Sequence, residues 1–280
     1  MKAFLTLCFV VAAEVGFGAV FSPEMAQMMA ENYLAKEPLP VLEKGFSMEE
    51  GLNAQAEFLK ALKPKLGEVA GYKIGLITKE GQQRMGASGP VHGTLLRKML
   101  HYDNYETGTN FGVRPAMELD LGVIVKDEGI NGAKSVEEVI GHLSFLTCFI
   151  ELVDTITATN QVMDGALLTA LNVGARAGVI GDRMKMSPEV AKALPEMRMW
   201  MTDETGKVLA DVPKLGLQPL DNLPWLIADL KKAGTPLKAG DFISLGSPAT
   251  MQAVMAGKTI QLHYAIPGVK ELQTKVRFTK

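Results

Sequence analysis

The chain has 280 residues, 47% hydrophobic and 21% charged, which is enough for a sizeable core in one large domain or a domain with a small appendage. A net charge of −2 offers no basic surface for nucleic acid or another polyanion. The two cysteines, Cys8 and Cys148, form neither a disulfide framework nor a paired zinc motif.

In chain order, Lys2 followed by the apolar run Ala3–Ala13 reads as an export signal covering residues 1–21, too short to span a membrane. The expectation is a mature chain that begins after Ala13 and by Ser22, periplasmic or secreted, or cytoplasmic if the segment is retained. Ser22–Ala35 reads as a helix. Glu37-Pro38-Leu39-Pro40 is a stiff linker. Ser47 and Glu50 fit a capping box, and the helix they open is expected to stop at about Leu62 because Pro64 comes next. Lys73 then sits in a short apolar run between Gly71 and Gly75, where it is either a desolvated amine of lowered pKa or a side chain that snorkels to water. Lys79–Met85 reads as a short helix and Gly86–Gly93 as a loop, with His92 a structural loop residue.

Arg114–Asp154 is the stretch around which the rest of the chain is organised. Its two ends, Arg114–Val125 and Phe145–Asp154, are apolar and rich in β-branched residues, as strands are. Side chains alternate along a strand, so Glu118 and Asp120 share a face. Carboxylates inside apolar runs are paired, hydrogen-bonded or metal-bound when buried. Glu118, Asp120 and Glu151 can therefore make an all-oxygen site for a hard cation, or Glu118 and Asp120 can face water on an edge strand. Ser135 and Glu138 cap another helix before the Glu151 strand. Thr155–Leu168 reads as a lid or loop, Val208–Leu217 as strand and loop, and Pro219–Lys232 as an amphipathic helix. Phe242–Leu245 reads as a strand, and Lys258–Ala265 with Val269–Phe278 as a closing hairpin. Strands outnumber helices after residue 110, which predicts a mainly β core with helices packed outside.

Several of these segments together resemble one family, the 2-keto-4-pentenoate hydratases and 4-oxalocrotonate decarboxylases of the fumarylacetoacetate hydrolase superfamily. The segments are Gly71–Leu76, Gln82–Gly86 with Pro90, Gly93 and Leu95, Pro115–Val125, Ile150–Asp154, Pro219–Leu226, Leu237–Ser247 and Val276–Phe278. The resemblance implies an α+β fold, a mixed β-sheet roll over 71–280 that carries the catalytic site, with an N-terminal helical cap over 22–70. It implies Mg²⁺ or Mn²⁺ held by Glu118, Asp120 and Glu151, a short 2-oxo acid chelating that ion, and Lys73 as proton shuttle, its amine pKa lowered by the cation. Ser247, Leu76 and Asn172 are the implied substrate contacts, and a homo-oligomer is expected.

The chain also departs from the family pattern. Asp120 stands where the family usually has Glu, and Val91 where hydratases carry an Asp. Ala170-Leu171-Asn172-Val173-Gly174 keeps the Asn of its family segment but not the Asp or Ser. Two readings are open: a metal-dependent hydratase or decarboxylase tilted toward decarboxylation or tautomer chemistry by Val91, or an exported non-catalytic protein that binds metal and 2-oxo acid.

Overall fold

The computed structural model describes residues 22–42 and 45–279. The export signal read over 1–21 lies outside them. No helix among the described residues is long and apolar enough to cross a membrane.

Helix Pro23–Ala35 starts where Ser22 accepts a hydrogen bond from the Met25 amide, and helix Met48–Leu66 starts at a complete Ser47–Glu50 capping box. The second helix runs past Pro64, contrary to the sequence expectation. A proline in the last turn removes only its own amide bond, and the helix closes at Gly67, whose amide bonds the Lys63 carbonyl. The two helices pack through Tyr33 and Phe58, whose rings meet edge to face at 5.7 Å. Leu39, 1% exposed, docks the proline linker by donating its amide to the Ile156 carbonyl at 2.8 Å.

The strands form an eight-stranded and a five-stranded sheet among the described residues. Across the larger one the order is Val91–Leu96, Val69–Gly75, Phe242–Ser244, Ala116–Val125, Leu143–Val153, Ala175–Lys185 and Leu100–Tyr102, with Gln252–Ala253 added beside the start of Ala116–Val125. The smaller sheet holds Tyr105–Gly108, Leu272–Thr279, Thr259–Ala265, Arg198–Asp203 and Val208–Val212. Its alternating burial along Leu272–Thr279 gives one face to the core and one to water. The apolar core lies between the two sheets, and a second cluster sits under the N-terminal helices. Tyr264, wholly buried, ties the sheets together: its hydroxyl donates to the Asp120 carbonyl and accepts from the Phe149 amide. The α+β class with a β core and outer helices is the one the sequence predicts.

Two segments differ in part from expectation. Val91–Leu96, which begins inside the Gly86–Gly93 region read as loop, is a fully buried strand paired antiparallel to the Lys73 strand. Thr155–Leu168, read as a lid or loop, is a packed loop that ends in a short helix from Gly165: Ile156, Thr157 and Gln161 are buried, and Gln161 bonds both the amide and the carbonyl of Leu42.

Candidate active site

Alternation puts Glu118, Asp120 and Gly122 on one face of their strand. Register then sets Glu118 opposite Glu151, Gly122 beside Ser244, and Ser244 beside Lys73. The central strands of the large sheet thus bring one lysine and three carboxylates to the same face. Lys73 is 3% exposed, Asp120 0% and Glu151 1%, while Glu118 keeps a partly exposed edge. This rules out the water-facing edge strand and the snorkelling lysine.

Lys73 Nζ lies 2.6 Å from Glu151 Oε1 and donates to the Val173 carbonyl at 3.0 Å. The contact with Glu151 is an ion pair by distance, but neither Glu151 oxygen has a hydrogen-bond partner among the described residues. Burial and the neighbouring Glu151 charge push Glu118 up to about 7. The same two causes hold Asp120 well above the usual carboxylate range, against the opposing hydrogen bond from Ser244. Burial pulls the Lys73 amine down, but the Glu151 and Glu118 charges outweigh it and its pKa stands above the ordinary lysine value. Among these charges alone the amine is not lowered; the lowering that the family resemblance implies comes from a bound cation.

The three carboxylates share a neighbourhood without forming a finished cage. Glu118 and Glu151 face one another across the ladder. Asp120 is held at both oxygens: its Oδ1 accepts from the Leu121 amide at 2.5 Å and its Oδ2 from the Ser244 hydroxyl. Among the described residues no three acidic, histidine or cysteine side chains make a set ready to hold a metal. The short Asp120 side chain is held by the groups beside it, while the Glu151 and Glu118 charges still reach it. The donor chemistry still fits a hard divalent ion. All the donors are carboxylate oxygens, the three carboxylates outnumber the ammonium by two charges when ionised, and beyond the Lys73 ion pair the Glu151 oxygens take no hydrogen bond among the described residues.

The implied substrate contacts fall in different places. Leu76 is half-buried with φ 55°, its carbonyl held by Gln82 Nε2 at 2.9 Å. Ser247 is half-buried in the turn after the Ser244 strand, and its hydroxyl both donates to the Ala249 carbonyl and accepts from the Ala249 amide. Asn172 is 0% exposed, and its amide accepts from the Thr94 amide at 2.7 Å and donates to the Thr94 carbonyl at 2.8 Å, so it completes the edge of a strand. Asn172, Val173 and Gly174 are all left-handed, with φ 54°, 55° and 67°. That conformation is strained for a β-branched residue such as Val173, whose carbonyl is the one that holds Lys73.

Val91 lies on the Lys73 face, since it pairs with Gly75, and a Cβ built on Gly75 would meet Val173 and Val91 methyls at 2.6 and 3.4 Å. His92 points to the other face, with Nδ1 2.8 Å from Asp229 and its ring beside Tyr72 and Trp225. Its structural role is as read, though in a strand.

Sequence reasoning missed Ser244, Val173 and Tyr264. Only Ser244 left a signal, as a lone hydroxyl within Phe242-Ile243-Ser244-Leu245. A cleft of about 540 Å³ bordered by Arg97, Tyr102, Arg183 and Phe242 opens elsewhere and touches none of the four charged residues.

No protein-family model matches the chain. A 2-keto-4-pentenoate hydratase of Paraburkholderia phymatum is 26% identical over 202 residues, covering 70% of this chain and 74% of that protein. A 4-oxalocrotonate decarboxylase of Pseudomonas putida is 23% identical over 210 residues, covering 75% and 79%. The solved 4-oxalocrotonate decarboxylase from Pseudomonas putida G7, complexed with magnesium and adipate, superposes with a TM-score of 0.78 at 21% identity, over 92% of this chain and 98% of that one.

Proposed function

We propose that this chain, similar in sequence and fold to the 2-keto-4-pentenoate hydratases and 4-oxalocrotonate decarboxylases, is a divalent-metal-dependent lyase acting on a short 2-oxo acid. The observation that carries the reading is the buried group of Lys73, Glu118, Asp120 and Glu151, three carboxyls around one ammonium, with Glu151 held by Lys73 alone. Groups of this kind are costly to bury and are kept where they do chemistry. Glu118, Asp120 and Glu151 would hold Mg²⁺ or Mn²⁺, and such an ion supplies fixed positive charge beside the enolate of a bound 2-oxo acid.

Lys73 is the proton carrier of this reading. Its ammonium is tethered at two points, Glu151 and the Val173 carbonyl, which leaves it oriented and able to give a proton or receive one. Leu76 and Ser247, half-buried, are the proposed substrate contacts, and Asn172 serves the site through Thr94 and the left-handed turn.

Val91 decides the direction proposed for the chemistry. A hydratase needs a group to activate or deliver water, and valine on the Lys73 face can neither accept nor donate a proton. His92 does not replace it, because it faces the opposite side and bonds Asp229. Decarboxylation or tautomer chemistry is therefore favoured over hydration.

The test is an assay of 2-hydroxypenta-2,4-dienoate and 4-oxalocrotonate with Mg²⁺ or Mn²⁺, monitored by loss of dienol absorbance and by CO₂ release. CO₂ release with slow hydration is expected, and Lys73→Ala should abolish turnover. Rapid hydration with no CO₂ would overturn the direction. No turnover of either compound, with metal and 2-oxo acid both bound, would favour a non-catalytic binder.

A further inference from the structure

We propose that Ser244 is a positioning residue that clamps Asp120 and so sets which divalent cation the carboxylate group prefers. The inference rests on the metal-dependent reading of the same site. Ser244 is 0% exposed and ends a three-residue strand, Phe242–Ser244, wedged between the Lys73 strand and the Glu118 strand. It is the polar residue of that strand, and its register places it beside both Lys73 and Gly122. Gly122 has no side chain to intervene, so the Ser244 hydroxyl reaches Asp120 Oδ2 on the same face and donates to it. The Leu121 amide holds the other oxygen at 2.5 Å.

A carboxylate restrained at both oxygens keeps lone pairs for single-oxygen contacts but cannot swing to grip an ion with both oxygens at once. Small octahedral ions use single-oxygen contacts at short, fixed distances, whereas Ca²⁺ accepts carboxylates through one oxygen or two and tolerates a flexible shell. The clamp on Asp120 therefore favours the small ion. Without the serine hydroxyl, Asp120 loses one of its two restraints and its position is no longer set before the ion arrives.

The test is calorimetric titration of the full chain with MnCl₂ and, separately, CaCl₂, comparing wild type, Ser244→Ala, Ser244→Cys and Ser244→Thr, with circular dichroism to confirm folding. Ser244→Ala should weaken Mn²⁺ binding about 10–100-fold, the range for groups that orient metal ligands, and Ca²⁺ binding much less. The preference for Mn²⁺ over Ca²⁺ then narrows, and Ser244→Thr, which keeps the hydroxyl, restores it. Should Ser244→Ala not fold, Ser244→Cys, near in volume with a weaker donor, decides in its place. Unchanged Mn²⁺ affinity, or an equal fall for both ions, would overturn the clamp while leaving the metal reading intact. Failure of the wild type to bind either ion would overturn the functional reading itself, and the clamp with it.

Discussion

Glu151 and Asp154 stand close together at one end of the same strand region, 1% and 2% exposed, and they are served in opposite ways. Asp154 takes three backbone donors: Val113 on Oδ2 at 3.0 Å, and Arg114 and Ile156 on Oδ1 at 2.8 and 3.2 Å. Those bonds fix the approach to the Glu118 strand and the turn through Ile156, whose carbonyl in turn holds Leu39 of the linker. Glu151 takes no backbone donor among the described residues, and its company is the Lys73 ammonium, 2.6 Å from Oε1, and a second carboxylate. A buried carboxylate wrapped in amides stabilises the chain around it, while one left open toward other charges is held ready for something else. The contrast separates a folding role from a proposed catalytic one within four residues of the chain.

The largest effect expected from breaking this contrast is on turnover. Glu151→Gln keeps the shape but removes one charge from the set proposed to hold the cation. Turnover should fall on the order of 10²–10³-fold, as for loss of a preorganised electrostatic group. The metal-free variant should unfold in urea near the wild-type midpoint, because the Lys73 ammonium that loses Glu151 keeps the Val173 carbonyl and the nearby Glu118 and Asp120 carboxyls as compensation. A variant that unfolds readily would place Glu151 beside Asp154 as a structural group and erase the distinction.

Asp154→Ala should do the reverse. Three amides lose their acceptor, at about 1–3 kcal/mol for each one left buried and unsatisfied, so a loss of about 3–5 kcal/mol is expected. Urea unfolding measures it. Below the transition, turnover per folded molecule should stay within several-fold of wild type. A stability change under about 1 kcal/mol would show that the three bonds are replaceable by water.

Legibility in the sequence divides along the same line. Local signals are readable: the Ser47–Glu50 box, the Ser135 cap and the alternation in the closing hairpin are each written within a few residues. Periodicity also puts Glu118 and Asp120 on one face. The difference between Glu151 and Asp154 is not readable, because the amides that satisfy Asp154 from across the fold come from residues 113 and 114, about forty positions away. The Ser244 contact with Asp120 spans 124 positions and is hidden for the same reason. Val91–Leu96 escapes as a strand because burial on both faces removes the alternation that marks one, and Pro90, His92 and Gly93 imitate a loop.

Asp229 gives the smallest effect and an intermediate case against which the other two carboxylates are calibrated. It lies on helix Leu223–Lys232 and accepts from His92 Nδ1 at 2.8 Å, with 28% of its side chain still in solvent. The nitrogen carries the proton because an ionised carboxylate only accepts. The His92 hydrogen bond holds the carboxyl below its ordinary value of 3.8, against partial burial. A depressed folded value means that the unfolded chain binds protons first as pH falls, so the contribution is complete above about pH 4 and drains away as pH drops through the folded value. Discounted for solvent screening, the contribution is about 1 kcal/mol at pH 7. Asp229→Asn should therefore lower the urea midpoint at pH 7, and the gap to wild type should shrink steadily in the window below about pH 4. Turnover should be unaffected, since His92 and Asp229 lie on the face away from Lys73. A gap that stays constant down to the acid end of that window would assign it to packing of the helix instead. A fall in turnover comparable to that of Glu151→Gln would show that the far face of the sheet takes part in the chemistry, and the division of carboxylates by role would have to be redrawn around His92.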